Sequence, residues 1–403
     1  MTENADEFMK KNYYLKTQPF AVGYARYNLE FWTNREKELE EWKTAIQKVI
    51  KSGQNRFQFI VGDYGMGKTI SLMKIQGDFE KSTKVISVLF NLKTENKRIG
   101  SIDFIFKIFE NFDYKKLVRR TTTSRVKEAL DSIPSDGNFR EPKSVLFSIF
   151  LNQTLTQKGS DEEFEEISVI GEGPALDFLR GLKISAKQKR QIGVKREIDS
   201  LDVAKHYLAS LLIFMRFLGY PALIILVDEF EYLFQMVRKP DQAKYFALFR
   251  SLYDLPDEVN IPPNSMASLV MFMTVSQEGF NYLQTLEERS RVEGPTPLSA
   301  MNRRTSEPTL LLGFDKKNVE TLIELRLKFN RVDQKFEKNP LIPFDQSFVN
   351  FVHLLSKGAP NMIIKICDHV LDEGIKQKVK LLNEEFAKLA IEKSLSINVP
   401  KKD

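Results

Sequence analysis

The eight residues Gly62-Asp63-Tyr64-Gly65-Met66-Gly67-Lys68-Thr69 restrict the fold of this chain more than any other stretch. They satisfy the pattern G-x-x-x-x-G-K-[ST], whose glycines let the backbone turn tightly enough for successive N–H groups to point at phosphate oxygens. Such a loop works between a strand and a helix, because the helix presents its N-terminal partial positive charge to the same phosphates. Both flanks are present. Residues 56–61 (RFQFIV) read as a short strand running into the loop, and 69–79 as the helix behind it. Lys68 is then placed to reach β- and γ-phosphates, and the Thr69 hydroxyl to ligate Mg2+. The alternative is a glycine-rich turn with a stray lysine, and the flanking strand and helix weigh against it.

A phosphate loop of this kind needs carboxylates at the end of a second strand. Leu223-Ile224-Ile225-Leu226-Val227 is a run of branched apolar residues of the kind found in central parallel strands, and it ends in Asp228-Glu229. Ligands of parallel sheets bind at the carboxyl ends of the strands. Asp228 is therefore expected to hold the Mg2+ shell, and Glu229 to polarise a water attacking the γ-phosphate. An Asp-Glu pair after a strand is on its own a solvated loop more often than a site; the loop at 62–69 is what changes that balance. Together the two motifs predict ATP and Mg2+ as ligands and ATP hydrolysis as the reaction.

A chain of 403 residues is expected to hold two or three domains. Lys and Arg number 60 against 54 Asp and Glu, a net +6, which suits nucleic acid as a partner and equally suits an ordinary lysine-rich surface. The single cysteine, Cys367, excludes an internal disulfide framework and a cysteine-rich metal site. The first residues are acidic and hold no apolar run, so no signal peptide is expected. The one long apolar stretch, 207–227, contains Arg216 and is broken by Gly219-Tyr220-Pro221, so it reads as a buried helix followed by a buried strand rather than a membrane span. A soluble, cytoplasmic protein is expected.

Along the chain, residues 1–30 lack periodicity and read as an arm. Helical or strand patterns follow at 36–51 (helix), 84–91 (strand) and 101–112 (helix). Residues 113–200 hold charge clusters between short amphipathic helices, and then come 201–218 (helix), 222–227 (strand), 241–253 (helix) and 268–275 (strand). After Leu310-Leu311-Leu312 the pattern is helical, at about 315–330, 345–356, 361–378 and 382–394. The predicted fold class is α/β: a P-loop NTPase core with a central parallel sheet over 31–312, with 113–200 as an insertion, then an all-α lid over 313–397. Lys68 and Asp228 stand 160 positions apart, more than a compact nucleotide-binding core needs, which is why 113–200 reads as inserted.

With these motifs in place, the chain resembles AAA+ ATPases, in particular the branch of replication-initiator ATPases of origin-recognition type and the related bacterial transposition ATPases. Phe31-Trp32-Thr33-Asn34-Arg35-Glu36-Lys37-Glu38-Leu39 is similar to that branch's opening box F-x-G-R-E-x-E-L, with Asn34 where Gly is usual. Residues 268–277 (SLVMFMTVSQ) are similar to the strand whose polar end senses the γ-phosphate, which would make Thr274 or Ser276 the sensor in place of the common Asn. Gly358-Ala359-Pro360-Asn361 is similar to the lid motif G-x-P-R, with Asn361 where the Arg acts on ATP; the resemblance implies a weakened lid sensor, or one moved to Lys365. The resemblance also implies a homo-oligomer with ATP at subunit interfaces. A second resemblance, to ATPases of BREX-type phage-defence islands, rests on Ala175-Leu176-Asp177-Phe178-Leu179-Arg180-Gly181, the helix at 201–218 and Gly219-Tyr220-Pro221.

The AAA+ likeness further implies an arginine reaching a neighbouring subunit's ATP, for which Arg303 and Arg304, just before a strand expected at 308–312, are the candidates and Arg289 and Arg291 the competitors; an ordinary basic loop is the alternative. Lys115, Lys116, Arg119 and Arg120, and then Lys187, Lys189, Arg190, Lys195 and Arg196, could contact double-stranded DNA through its phosphates or could be solvated helix faces. The three histidines and Cys367 read as structural. Two functions stay open: an ATP-driven switch or motor on DNA or a DNA-associated complex, and a slow ATP-binding module that gates assembly with protein partners. In either, Lys68→Ala removes the ammonium facing the β- and γ-phosphates, so nucleotide affinity should collapse. Equilibrium titration with a fluorescent ATP analogue measures this, and wild-type affinity in the variant would refute the loop assignment.

Overall fold

Residues 56–61 have five successive buried positions, and a strand so apolar on both faces can pair stably only inside a sheet. The structure, a computed structural model, describes residues 4–20, 29–81, 85–92, 100–118, 121–135, 137–150, 173–235, 239–293, 305–333 and 338–392. Its sheet contains β1 (Arg56–Val61), β2 (Val85–Asn91), β3 (Ala222–Asp228), β4 (Ser268–Val275) and β5 (Thr305–Leu310) in the order β2-β3-β4-β1-β5. β1 pairs with β4, β4 with β3 and β3 with β2, all parallel. All seven residues of β3 and all eight of β4 are buried, so both central strands are covered on two faces. The α/β class is as the sequence predicts, and β1 to β4 lie within a residue of their expected positions.

Register matters more than position. Val61 at the end of β1 pairs with Val275 at the end of β4, and Val227 of β3 pairs with Met273 of β4. The three strands therefore end at one edge, with β4 standing between the strand that leads into the glycine loop and the strand that ends in Asp228.

The edge strand β5 differs from the expected 308–312. It is held where it is by polar pairing that hydropathy does not reveal. The Gln58 Nε2 amide donates to the Glu307 carbonyl at 3.1 Å and to the Thr309 hydroxyl at 3.0 Å, and the Trp42 indole N–H donates to that hydroxyl at 3.0 Å.

The chain forms two compact units, one of residues 40–61 and 75–309, the other of 1–39, 62–74 and 310–403. In the first, the helix Leu201–Phe217 is buried along nearly its whole length and its Phe214 stacks on Phe150 at 4.7 Å. Val126, Leu130, Phe139, Val145, Ile149 and Phe178 join the same core as the strands. The described helices of 113–150 and 173–200 thus pack apolar faces into the core of the sheet, while most of their charged side chains are exposed.

The second unit is helical: Lys316–Phe329, Gln346–Ser356, Pro360–Lys376 and Glu384–Glu392 surround Phe344, Phe348, Ile363, Ile366 and Val370. Phe8, Met9, Tyr13, Leu15 and Phe20 belong to that core as well. The first residues show no helical period because Ala5–Phe8 passes into a π-helical turn at Met9–Tyr13, which breaks the 3.6-residue repeat. Two buried arginines tie this irregular stretch down. Arg326 donates to the Pro19 carbonyl at 3.1 Å, and Arg331 donates to the Tyr13, Pro340 and Ile342 carbonyls at 2.7 Å each. Burial pushes both guanidinium groups down to about 10.

Asn34 has φ 61°, a left-handed conformation that Gly and Asn tolerate best, which explains why an asparagine can occupy the usual glycine position. Its side chain also donates to the Asn318 carbonyl at 2.8 Å. Arg35 is paired with Glu38 at 3.1 Å, donates to the Leu312 carbonyl, and lies 4.9 Å from the centre of the Phe314 ring.

Phe314 N–H in turn donates to the Gly358 carbonyl at 2.8 Å, just ahead of the helix Pro360–Lys376. Gly358 has φ 72°, and a Cβ there would lie 2.2 Å from the Phe314 carbonyl oxygen. Gly358→Ala should therefore destabilise the chain by about 3 kcal/mol or more, combining left-handed strain with a backbone clash. Urea denaturation measures this; an unchanged midpoint would contradict the packing described.

Candidate nucleotide-binding site

From Val61 the chain passes directly into the glycine loop, and the helix Lys68–Glu80 starts inside the motif, so its first unpaired N–H groups lie in the loop. Gly65 and Gly67 have φ of 84° and 90°. The Lys68 ammonium donates to the carbonyls of Gly62 at 2.7 Å and Asp63 at 3.2 Å, which places the cation over the loop backbone. Gly62 is buried, Lys68 and Thr69 are half-buried, and Asp63 and Tyr64 are exposed.

A feature beyond the motif is the start of the helix Pro360–Lys376. Asn361 donates its N–H to the Gly65 carbonyl at 3.2 Å, and a Cβ on Gly65 would lie 3.1 Å from the Asn361 Cβ. Gly65 is thus required both for its positive φ and for this close approach. Asn361 stands where the resemblance would put an arginine, and it meets the phosphate loop through its backbone. Lys365, the alternative sensor, is exposed.

Asp228 is 5% exposed at the end of β3. Its carbonyl accepts the Leu92 N–H at 3.1 Å. On the β4 side its Oδ1 accepts the Thr274 hydroxyl at 2.6 Å. Glu229 comes next with φ 55°, a left-handed conformation rare for a side chain of this kind and typical of strained functional positions. Its N–H donates to the Thr274 Oγ1 at 3.0 Å, and the Phe230 N–H donates to the Thr274 carbonyl at 2.9 Å. The half-buried Glu229 carboxylate has no hydrogen-bond or ion-pair partner among the described residues.

Ser276 is engaged differently. Its N–H donates to Glu231 Oε1 at 3.0 Å and its Oγ accepts the Gly279 N–H at 3.0 Å. Glu231, whose Oε2 is buried without a partner, is not among the residues that the sequence motifs single out. The signal for it is the third acid in Asp228-Glu229-Phe230-Glu231.

Thr69 offers a hydroxyl and Asp228 a carboxylate, both hard oxygen donors of the kind Mg2+ takes. Among the described residues there is no group of three or more His, Cys, Asp or Glu side chains arranged to hold a metal. Each of the two, taken by itself, is an oxygen donor able to serve a cation that also takes nucleotide phosphates and waters.

Arg303 and Arg304 lie outside the described residues, as do Arg119 and Arg120, and of Arg289 and Arg291 only the backbone is described. In the first basic cluster Lys115 is exposed, while the half-buried Lys116 donates to the Glu80 carbonyl at 3.1 Å. In the second, Lys189 pairs with Glu197, and Lys187, Arg190, Lys195 and Arg196 are exposed. Cys367 is buried, and His206 and His369 each bond a backbone carbonyl, as structural residues do. No helix among the described residues is long and apolar enough to cross a membrane.

Residues 171–352 match the family model described as BREX system ATP-binding protein BrxC/D, and the BREX-type likeness read from the sequence is borne out over that span. No curated protein matches the chain. Among solved structures the chain is similar to the Aeropyrum pernix ORC1 protein in complex with DNA, at 11% identity and a TM-score of 0.45, covering 93% of this chain and 68% of that one. It is similar to the Aeropyrum pernix ORC2 protein in its ADP form, at 9% identity and a TM-score of 0.45, covering 91% and 72%. A third similarity is to the Thermotoga maritima RuvB Holliday junction branch migration motor, at 10% identity and a TM-score of 0.38, covering 89% and 69%.

Proposed function

We propose that this chain is a Mg2+-dependent ATPase of AAA+ type that acts as a nucleotide-driven switch or motor on DNA or on a DNA-associated complex. The observation that carries the reading is that β1 and β3 lie in one parallel sheet with β4 between them. A complete glycine loop leaves β1, and a buried Asp228 with a left-handed Glu229 ends β3. The match over 171–352 to an ATP-binding family supports it.

In this reading the loop N–H groups and Lys68 would hold the β- and γ-phosphates, and Thr69 and Asp228 would hold Mg2+. Bound Mg2+ would neutralise charge developing on the phosphate oxygens. Glu229, with no competing partner, accepts a proton from the attacking water, and the left-handed turn at its Cα sets the direction of its side chain. Arg303 or Arg304 would reach the ATP of an adjacent copy in a homo-oligomer. The exposed Lys187, Arg190, Lys195 and Arg196 supply the face for double-stranded DNA, through phosphates and without base readout.

Two measurements test this reading. Glu229→Gln should bind ATP with near wild-type affinity and lose at least about a hundredfold in turnover, the usual scale for a general base. Wild-type turnover in that variant would remove Glu229 from the mechanism. ATPase rate with and without double-stranded DNA, over a salt series, tests the partner. Stimulation that falls steeply with salt, and is lost on charge reversal of Lys187, Arg190, Lys195 and Arg196, is expected. A rate indifferent to DNA at every salt concentration would instead support a module that gates protein assembly.

A further inference from the structure

We propose that Thr274 is a positioning residue that fixes the metal-facing carboxylate of Asp228, and that it does not sense the γ-phosphate. This rests on the Mg2+-ATP reading above and assigns Thr274 a part within it that neither the family match nor the resemblance supplies.

A threonine hydroxyl has one proton to donate and two lone pairs. The carboxylate of Asp228 is acceptor only, so the 2.6 Å contact between Thr274 Oγ1 and Asp228 Oδ1 takes the hydroxyl proton. The Glu229 N–H occupies one lone pair at 3.0 Å. A single acceptor site remains on Oγ1, and a phosphate oxygen needs a donor. Thr274 can offer one only by releasing Asp228, and at its fully buried position giving up that hydrogen bond is costly.

Position supports the same conclusion. The β3–β4 pairing ends at Val227 and Met273, one residue before Asp228 and Thr274. Beyond that point Thr274 continues the connection between the strands with its side chain and carbonyl, which take the N–H groups of Glu229 and Phe230. Asp228 is thereby pinned on both sides, by the Leu92 N–H to its carbonyl and by the hydroxyl to its carboxylate. The same oxygen anchors the left-handed turn at Glu229. Ser276, by contrast, uses its Oγ as an acceptor for Gly279 N–H, and its proton has no partner among the described residues. Of the two polar residues at this strand end, Ser276 is the one able to donate to a phosphate.

The test is equilibrium titration of the full chain with a fluorescent, non-hydrolysable ATP analogue and with ADP, at Mg2+ concentrations from none (EDTA) to saturating. Thr274→Val keeps the branched shape and loses the hydroxyl. It should bind nucleotide like wild type in EDTA, and should need about tenfold or more Mg2+ to reach half of the metal-dependent gain in affinity, the scale of losing a residue that orients a metal ligand. Thr274→Ser, which restores the hydroxyl, should return that midpoint to near the wild-type value. In an Asp228→Asn background, Thr274→Val should shift it no further, because the two act as one unit. Should Thr274→Val fail to fold, Thr274→Ala removes the same hydroxyl and carries the same expectation. A wild-type Mg2+ midpoint combined with lost discrimination between the ATP analogue and ADP would overturn the proposal and make Thr274 the γ-phosphate sensor. Wild-type protein whose nucleotide affinity ignores Mg2+ would overturn the metal reading itself, and this proposal with it.

Discussion

Parallel pairing of β1, β4 and β3 in a register that ends all three strands at one edge is the constraint on which the rest of the site depends. Because a parallel ladder runs every strand in the same direction, the segments leaving β1, β4 and β3 must emerge on the same side. Those segments are a glycine loop, a Ser-containing turn and an Asp-Glu pair, three pieces of polar chemistry delivered by apolar strands. Burial on both faces locks the register, since a slip of one residue would turn every side chain over. β4 carries a particular duty. Lying between the other two, it puts the hydroxyl of Thr274 within reach of Asp228, and the carboxylate is oriented by a neighbour in the sheet rather than by its own strand.

Much of this is legible in the sequence, because the signals are local. The glycine loop is a contiguous motif, and β1 and β4, each mostly apolar, are read from the sequence at the residues where the strands lie. The features that escape a sequence reading depend on distant pairing. The order of strands in the sheet is not written in any one of them. β5 is placed by Gln58 and Trp42 meeting Thr309, and no window of hydropathy contains both partners. The N-terminal residues read as an arm because a π-helical turn hides the period, while the arginines that secure them lie more than three hundred residues away. Asn34 is visible as a departure from Gly, but only its φ of 61° shows why that departure is harmless. Thr274 and Ser276 are indistinguishable as letters, and only their hydrogen bonds separate them.

The loop and the start of the helix Pro360–Lys376 illustrate how a substitution can change a role without breaking a fold. Asn361 stands where the resemblance would put an arginine, and its contact to the Gly65 carbonyl runs through the main-chain N–H, which does not depend on the side chain. An uncharged side chain there contributes nothing to neutralising phosphate charge, so Lys68 and Mg2+ are left to carry that load in the proposed ATPase. The contact ties loop conformation to the helix that begins at Pro360, and Gly358, wedged against Phe314, fixes where that helix begins.

The proposed ATPase requires one nucleotide to engage both the glycine loop and the carboxylates at the end of β3. Hydrogen–deuterium exchange of the wild-type chain, with and without Mg2+ and a non-hydrolysable ATP analogue, tests this most directly. Slowed exchange is predicted in peptides covering 62–74 and, in the same experiment, in those covering 226–231 and 274–277. Protection confined to the loop, or found at neither place, would contradict it.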